Sequence, residues 1–312
     1  MTRTITIFGA SSSIAKEYIK KAKNKHLFLL FSRNYKKTKE WIENNNLNTN
    51  CTPFEYKQFN KSHSTDAIIN FVGAGDPQKV IDYGKEIIKI NTLYDDKIMN
   101  YLKINSNVHY IYLSSGSVYA TDFAVPIKSV TETPKNIKFY KNLNPYSAAK
   151  LSSELIHRQS QHLVITDIRV FNYLKERDIE NEKSLIGEII KCIISNKRFS
   201  TPQKEIFRDY INSQLFFEGI ESILKKPLNR AYDFYSKSPV SKSKLLIHLN
   251  QKFNLQYNIE SDILKKFESP TGFKSHYYSL DKSLGKIGYF PRLSSLEVID
   301  EVVKNYVSRQ HS

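Results

Sequence analysis

Apolar and polar positions follow two rhythms along the first half of the chain. Short, continuous apolar runs alternate with longer stretches in which apolar residues return every three or four positions. Residues 3–9, RTITIFG, are β-branched and end at Gly, which predicts a buried strand. ASSSIAKEYIKKAKNK predicts a helix with a Ser-rich start and Ile14, Tyr18 and Ile19 on one side. Further strands are predicted at HLFLLFSRN (26–34), CTPFEYKQF, DAIINFVGAG (66–75), VHYIYLSSGS (108–117) and LVITDIRVFN (163–172). KKTKEWIENNN, the stretch from PQKVIDYG to MNYLKIN, and NPYSAAKLSSELIHRQSQ predict the helices between them.

Continuous apolar strands separated by helices imply a parallel sheet covered on both faces. The predicted fold class is therefore α/β, a Rossmann-type doubly wound sheet. Its ligand would lie beyond the carboxyl ends of the strands, here Gly9, Arg33, Gly73, Ser115 and Asn172. After about residue 173 the alternation loosens and shorter mixed elements run to Ser312. The expected organisation is a nucleotide-binding domain over 1–172 and a smaller substrate-binding region over 173–312. A segment at about 207–240 is expected to return to the sheet.

Composition changes this picture little. The formal charge of +16 comes mostly from scattered Lys, with no block of five like charges and no zinc-finger or RNA-binding signature. Neither a nucleic-acid partner nor a metal site is expected. Two distant cysteines, Cys51 and Cys192, fit a reducing cytoplasm. No cleavable leader is expected, and no apolar run approaches the length of a membrane span.

Candidate chemistry sits at the strand ends. In GASSSIA, Gly9, Ser12 and Ala15 fall where a dinucleotide fold needs a tight turn, close approach to the pyrophosphate and close helix–sheet packing. Two of the usual glycines are replaced there, and Ser is the worse residue at positive φ. After the second strand, FSRNYKK offers Ser32 and Arg33 where an NAD-selective site usually carries an acid. Arg33 can bind a 2′-phosphate by charge-assisted hydrogen bonds, which a carboxylate would repel.

The fifth strand ends in YLSSGSVY, and the next helix opens NPYSAAK. With 20 Tyr and 37 Lys, chance alone gives about 2.4 Tyr-x-x-x-Lys pairs, and three occur: Tyr35–Lys39, Tyr146–Lys150 and Tyr278–Lys282. Context selects the second, because the right strand precedes it and Pro145 starts its helix. Tyr146 and Lys150 would share a helix face. A Lys150 cation would lower the Tyr146 pKa and suit it to move the proton that accompanies hydride transfer at a carbonyl. Ser115 would polarise the same oxygen.

The chain resembles the extended short-chain dehydrogenases/reductases of the nucleotide-sugar epimerase/dehydratase/reductase group. GASSSIA, NFVGAG, YLSSGSVYA, NPYSAAK, IRVFN and FRDYIN follow the family's order, and DKSLGKIGYFPRLSSLEVIDEVV is similar to its C-terminal stretch. The resemblance implies Ser115, Tyr146 and Lys150 as the catalytic set, with Lys150 also on the nicotinamide ribose. It implies cofactor contacts at Gly9, Ser11, Ser12, Ser13, Ile14, Ser32, Arg33, Asn60 and Gly73. Ser115, Ser117, Asn172 and Arg208 would face the sugar or its diphosphate, and Asn91 matches an Asn that the family uses near the site.

The chain departs from the dehydratases. Gly116 and Ser117 replace the Asp-Glu pair that follows the catalytic hydroxyl residue, and no added Cys or His base is visible. Tyr173-Leu174-Lys175 replaces the usual Tyr-Gly-Pro. The implied activity is NADPH-dependent reduction of a keto group on a nucleotide-diphosphate sugar, a 4-keto-6-deoxyhexose, in surface-polysaccharide sugar biosynthesis. Arg33 favours NADP(H) over NAD(H). The alternative is an NAD-dependent 4-epimerase, which needs the same three residues. A non-catalytic nucleotide-binding regulator on this fold is disfavoured by the intact Ser–Tyr–Lys set. The family also implies a cytoplasmic homodimer.

Overall fold

The computed structural model describes residues 2–73, 77–130, 143–178, 184–261 and 273–310. Gly75 of the NFVGAG stretch lies outside them. Strands β1 (Thr4–Phe8), β2 (Leu27–Ser32), β3 (Cys51–Glu55), β4 (Ala67–Asn70), β5 (His109–Ser115) and β6 (Ile165–Val170) form where continuous apolar runs predict them. Between them run helices α1 (Ser13–Ala22), α2 (Tyr35–Glu43), α3 (Pro77–Tyr83), α4 (Glu86–Leu102) and α5 (Pro145–Gln159).

The strands lie in the order β3-β2-β1-β4-β5-β6, and β11 (Arg230–Asp233) adds beside β6 as the seventh. Every pairing is parallel; Ile7 stands between Leu30 and Ile69. This is the doubly wound, Rossmann-like order, with the reversal between β1 and β4. Both faces are buried, as continuous apolar strands require. Ile5, Ile7 and Ile69 pack with α1 residues Ala15, Tyr18, Ile19 and Ala22 on one face. Phe8, Ile68, Tyr110 and Tyr112 pack with α4 residues Ile98 and Leu102 on the other.

Some boundaries differ from expectation. Helix is interrupted near Gly84, which takes φ +47, so one predicted helix becomes α3 and α4. The predicted third and fifth strands each end in a short 3-10 turn, Tyr56–Gln58 and Gly116–Tyr119.

The rest of the chain is built from shorter pieces. β7 (Asn172–Tyr173) pairs with β10 (Tyr210–Ile211). β8 (Phe199–Pro202) pairs with β13 (Tyr257–Glu260). β9 (Phe207–Arg208) lies between β12 (Val240–Ser241) and β14 (His276–Tyr277). Helices α6 (Leu185–Ile194), α7 (Ser213–Lys225), α8 (Lys242–Phe253) and α9 (Ser295–Gln310) are the remaining α-helices among the described residues. The small β-pieces place Arg208 and Tyr277 side by side in register.

Candidate active site

The first turn is built for close approach. Gly9 has φ +77, and a Cβ there would lie 2.8 Å from the Phe71 carbonyl carbon on the strand-end next door. Ser12 needs no positive φ. It is extended at φ −72 and caps α1, its hydroxyl accepting the Ala15 N–H at 3.2 Å. Ala15 is fully buried where helix meets sheet. Ser11 and Ser13 are exposed and Ile14 half-buried around the start of α1. The first turn carries no carboxylate, so the positive end of the helix dipole is left for an anion.

At the end of β2 the two candidates part. The Ser32 hydroxyl is buried and hydrogen-bonded to Thr38 at 2.7 Å, so it serves the α2 packing and turns away from the surface. Arg33 is exposed, beside Tyr56 and Tyr94. Asn60 lies on the exposed loop after β3, where its side chain accepts the Ser62 N–H at 2.9 Å and donates to Gln58 O. Sequence reading missed Tyr56, whose hydroxyl accepts the Gly9 N–H at 3.0 Å.

Ser115, Tyr146 and Lys150 do converge. Asn144 caps α5 by accepting the Ser147 N–H at 2.9 Å, and Pro145 takes the first helical position. That start fixes Tyr146 opposite the end of β5, with its hydroxyl near enough to Ser115 for the serine to lower its pKa. One turn on, Lys150 is buried and donates to Val72 O at 3.3 Å, its ammonium 4.4 Å above the Tyr112 ring. It also passes 3.1 Å from where a Cβ on Gly73 would stand.

The electrostatics correct one expectation. Burial raises the Tyr146 pKa, opposed by the nearby Ser115 hydroxyl. The Lys150 charge points at Val72 and Tyr112 instead. Burial lowers the Lys150 pKa to about 8, against the pull of Asp95, Glu154 and Asp167. Tyr146 is thus held as a phenol, in the proton-donating form.

Around Ser115, Ser117 offers both its N–H at 3.2 Å and its hydroxyl at 3.1 Å. A Cβ on Gly116 would come within 2.4 Å of the Phe171 ring, so an acid cannot replace Gly116 unless Phe171 moves. Asn91 is buried; it donates to Ile87 O and accepts from the Tyr112 hydroxyl at 3.3 Å. The Asn172 amide donates to Asp209 O at 3.0 Å and Tyr277 O at 3.4 Å, tying three short strands together. Arg208 is half-buried and donates to Phe207 O at 2.8 Å. Lys274 lies near it, its ammonium 4.3 Å over the Tyr277 ring. Among the described residues neither cation has a carboxylate partner. Burial lowers the pKa of both, and Arg208 further lowers that of Lys274.

Beneath the three residues lies buried charge that the hydrophobic pattern concealed. Glu154 receives Arg169 at 3.0 Å and Ser114, and His157 sits between Asp167 at 2.7 Å and Asp95 at 3.1 Å. Of the other Tyr-x-x-x-Lys pairs, Tyr35 begins α2 and Tyr278 follows β14.

Residues 5–219 match the NAD dependent epimerase/dehydratase family, and the chain belongs to it. No curated protein matches the chain in sequence. Among solved structures, it is similar to UDP-N-acetylglucosamine 4-epimerase from Methanobrevibacter ruminantium M1, in complex with UDP-N-acetylmuramic acid. That likeness has 17% identity and TM-score 0.79 over 99% of each chain. A UDP-glucuronic acid 4-epimerase mutant from Bacillus cereus, bound to NAD and a fluorinated UDP-sugar, shares 14% identity at TM-score 0.77 over 98% of this chain and 99% of that one. RMD from Pseudomonas aeruginosa complexed with NADPH shares 16% identity at TM-score 0.70 over 98% and 99%. These likenesses establish the fold. The family itself is one of NAD-dependent epimerases and dehydratases. No described helix is long and apolar enough to cross a membrane.

Proposed function

We propose that the protein is an NADPH-dependent reductase of a keto group on a nucleotide-activated sugar, a 4-keto-6-deoxyhexose, in surface-polysaccharide sugar biosynthesis. The observation that carries this reading is Arg33, exposed at the end of β2 where an acid would select NAD. The donor set suits the cofactor: the open start of α1, the close turn at Gly9, Arg33 for a 2′-phosphate and Lys150 beside Gly73 for a ribose. When bound, the cofactor supplies hydride to the carbonyl carbon. Tyr146 gives the carbonyl oxygen its proton, Ser115 donates a hydrogen bond to that oxygen, and Lys150 holds positive charge behind the ribose. Arg208 takes the diphosphate. Asp-Glu acid–base chemistry for water loss has no place at Gly116 and Ser117.

The second reading is an NAD-dependent 4-epimerase. The same three residues suffice for it, and 4-epimerases are among the proteins of similar fold. The reductase reading includes a homodimer acting in the cytoplasm. Mass spectrometry of the nucleotides that co-purify separates the two activities. A cofactor-free protein that binds NADPH and oxidises it with a UDP-linked 4-keto-6-deoxyhexose supports the reductase; retained NAD⁺ overturns it in favour of the epimerase.

A further inference from the structure

Ser115 is touched by a second tyrosine. Tyr277, on β14 and 162 residues away in sequence, places its hydroxyl 3.3 Å from Ser115 Oγ. Its ring is wedged edge-on against Phe123 at 4.8 Å and Phe171 at 5.1 Å, so the phenol has little freedom to swing aside. Among the described residues the hydroxyl has no other hydrogen-bond partner.

A serine hydroxyl has one proton and two lone pairs. The Ser117 N–H can only donate, so it fills one lone pair of Ser115. A second donor on the other lone pair leaves the Ser115 proton free to turn outward, toward the Tyr146 side of the site and a reacting oxygen. The Ser117 hydroxyl also lies 3.1 Å from Ser115 Oγ, but it sits on the same short turn and can rotate to give up or share that lone pair. Tyr277 is a fixed ring from another part of the chain, and burial keeps it a phenol.

We infer that Tyr277 is a positioning residue of the reaction site: its O–H donates to Ser115 and aims the serine proton at the carbonyl oxygen of the sugar. The same contact ties the short-stranded region that carries Arg208 to the end of β5, because Arg208 and Tyr277 are register partners. This inference rests on the reading of Ser115 as the residue that polarises the substrate.

Tyr277→Phe keeps the ring packing and removes only the hydroxyl. Steady-state kinetics would be run with NADPH and UDP-4-keto-6-deoxyglucose, and for epimerisation with NAD⁺ and UDP-glucose. In whichever format the wild type turns over, Tyr277→Phe is expected to lower kcat roughly ten-fold, the size of one hydrogen bond, with KM within about two-fold. In a Ser115→Ala background it should cost nothing further, since it acts through that serine. An equal loss in both backgrounds, an unchanged kcat, or a change in KM alone overturns the inference.

If the wild type turns over neither pair, the proposed activity fails on its own. NMR of protein carrying ¹³Cζ-tyrosine then judges Tyr277, with its signal assigned by its loss in Tyr277→Phe. Movement of that signal in Ser115→Ala supports the donated bond, and an unmoved signal overturns it.

Discussion

Lys150 lies with its ammonium 4.4 Å above the ring of Tyr112, a fully buried neighbour on β5. An aromatic face and one carbonyl replace the water that a lysine normally keeps, and burial takes the pKa down to about 8. The site should therefore lose its cation as pH rises through about 8. We expect kcat to be level below that point and to fall above it. Lys150→Arg should keep the charge and abolish that limb, though at a lower rate. A pH–rate profile of both proteins checks this; a wild-type limb below pH 7 would contradict it.

Tyr146 is half-buried beside Ser115 with its pKa raised, so it stays protonated across the working range. Tyr146→Phe should reduce turnover by about 10²–10⁴-fold and leave cofactor binding nearly intact. Paired measurements of kcat and of cofactor Kd test this, and near-normal turnover would remove Tyr146 from the chemistry.

Arg33 is exposed just beyond the end of β2, and the proposed reductase reading assigns it a 2′-phosphate. Arg33→Asp should weaken NADPH binding far more than NADH binding, because it sets like charge against the phosphate. Titration with each cofactor gives the ratio of the two losses. Equal losses would mean that Arg33 does not read the phosphate.

Arg208 is a half-buried cation without a carboxylate partner among the described residues. Arg208→Ala should raise KM for the nucleotide sugar about ten-fold or more with a smaller change in kcat. Lys at this position should restore it only in part, since a point charge cannot make a paired contact. An unchanged KM would move the diphosphate elsewhere.

His157 ties stability to pH. Burial works to lower its pKa, but Asp167 and Asp95 outweigh burial and raise it from 6.5 to about 10. A raised folded-state pKa stabilises fully below 6.5, and that contribution is lost as pH rises toward 10. Lys150 acts with the opposite sign, since its lowered pKa makes folding more favourable as pH rises above about 8. The comparison to make is wild type against His157→Gln by chemical denaturation between pH 6 and 10. The stability difference should shrink as pH rises; a constant difference would refute the buried cation.

The sheet was legible because its strands are continuous apolar runs, and Tyr146 and Lys150 were legible because Asn144 and Pro145 announce a helix start. The polar side of α5 misleads. Lys150, Glu154 and His157 follow the spacing of a solvated helix face, yet all three are buried. Their partners Arg169, Asp95 and Asp167 come from β6 and α4, and no local pattern links them. Tyr277 was hidden for a similar reason: β14 is two residues long, too short for any period, and its contact is made by folding alone. Ser32 carries a local contact that its place at a strand end does not announce, since its hydroxyl holds Thr38 of α2.

The strand β11 has a consequence for anyone who would exchange specificities between relatives. The chain leaves the sheet at β6, builds β7 to β10 with α6 and α7, and returns to lie beside β6 before leaving again. Asp233 at the end of β11 receives the Tyr119 hydroxyl at 2.9 Å from the turn after β5. A graft joined by one splice near residue 172 would carry β11 away with the foreign half. It would leave β6 with a bare edge and Tyr119 without its acceptor. A workable hybrid needs a second junction beyond Asp233, so that the returning strand stays with the sheet that it completes.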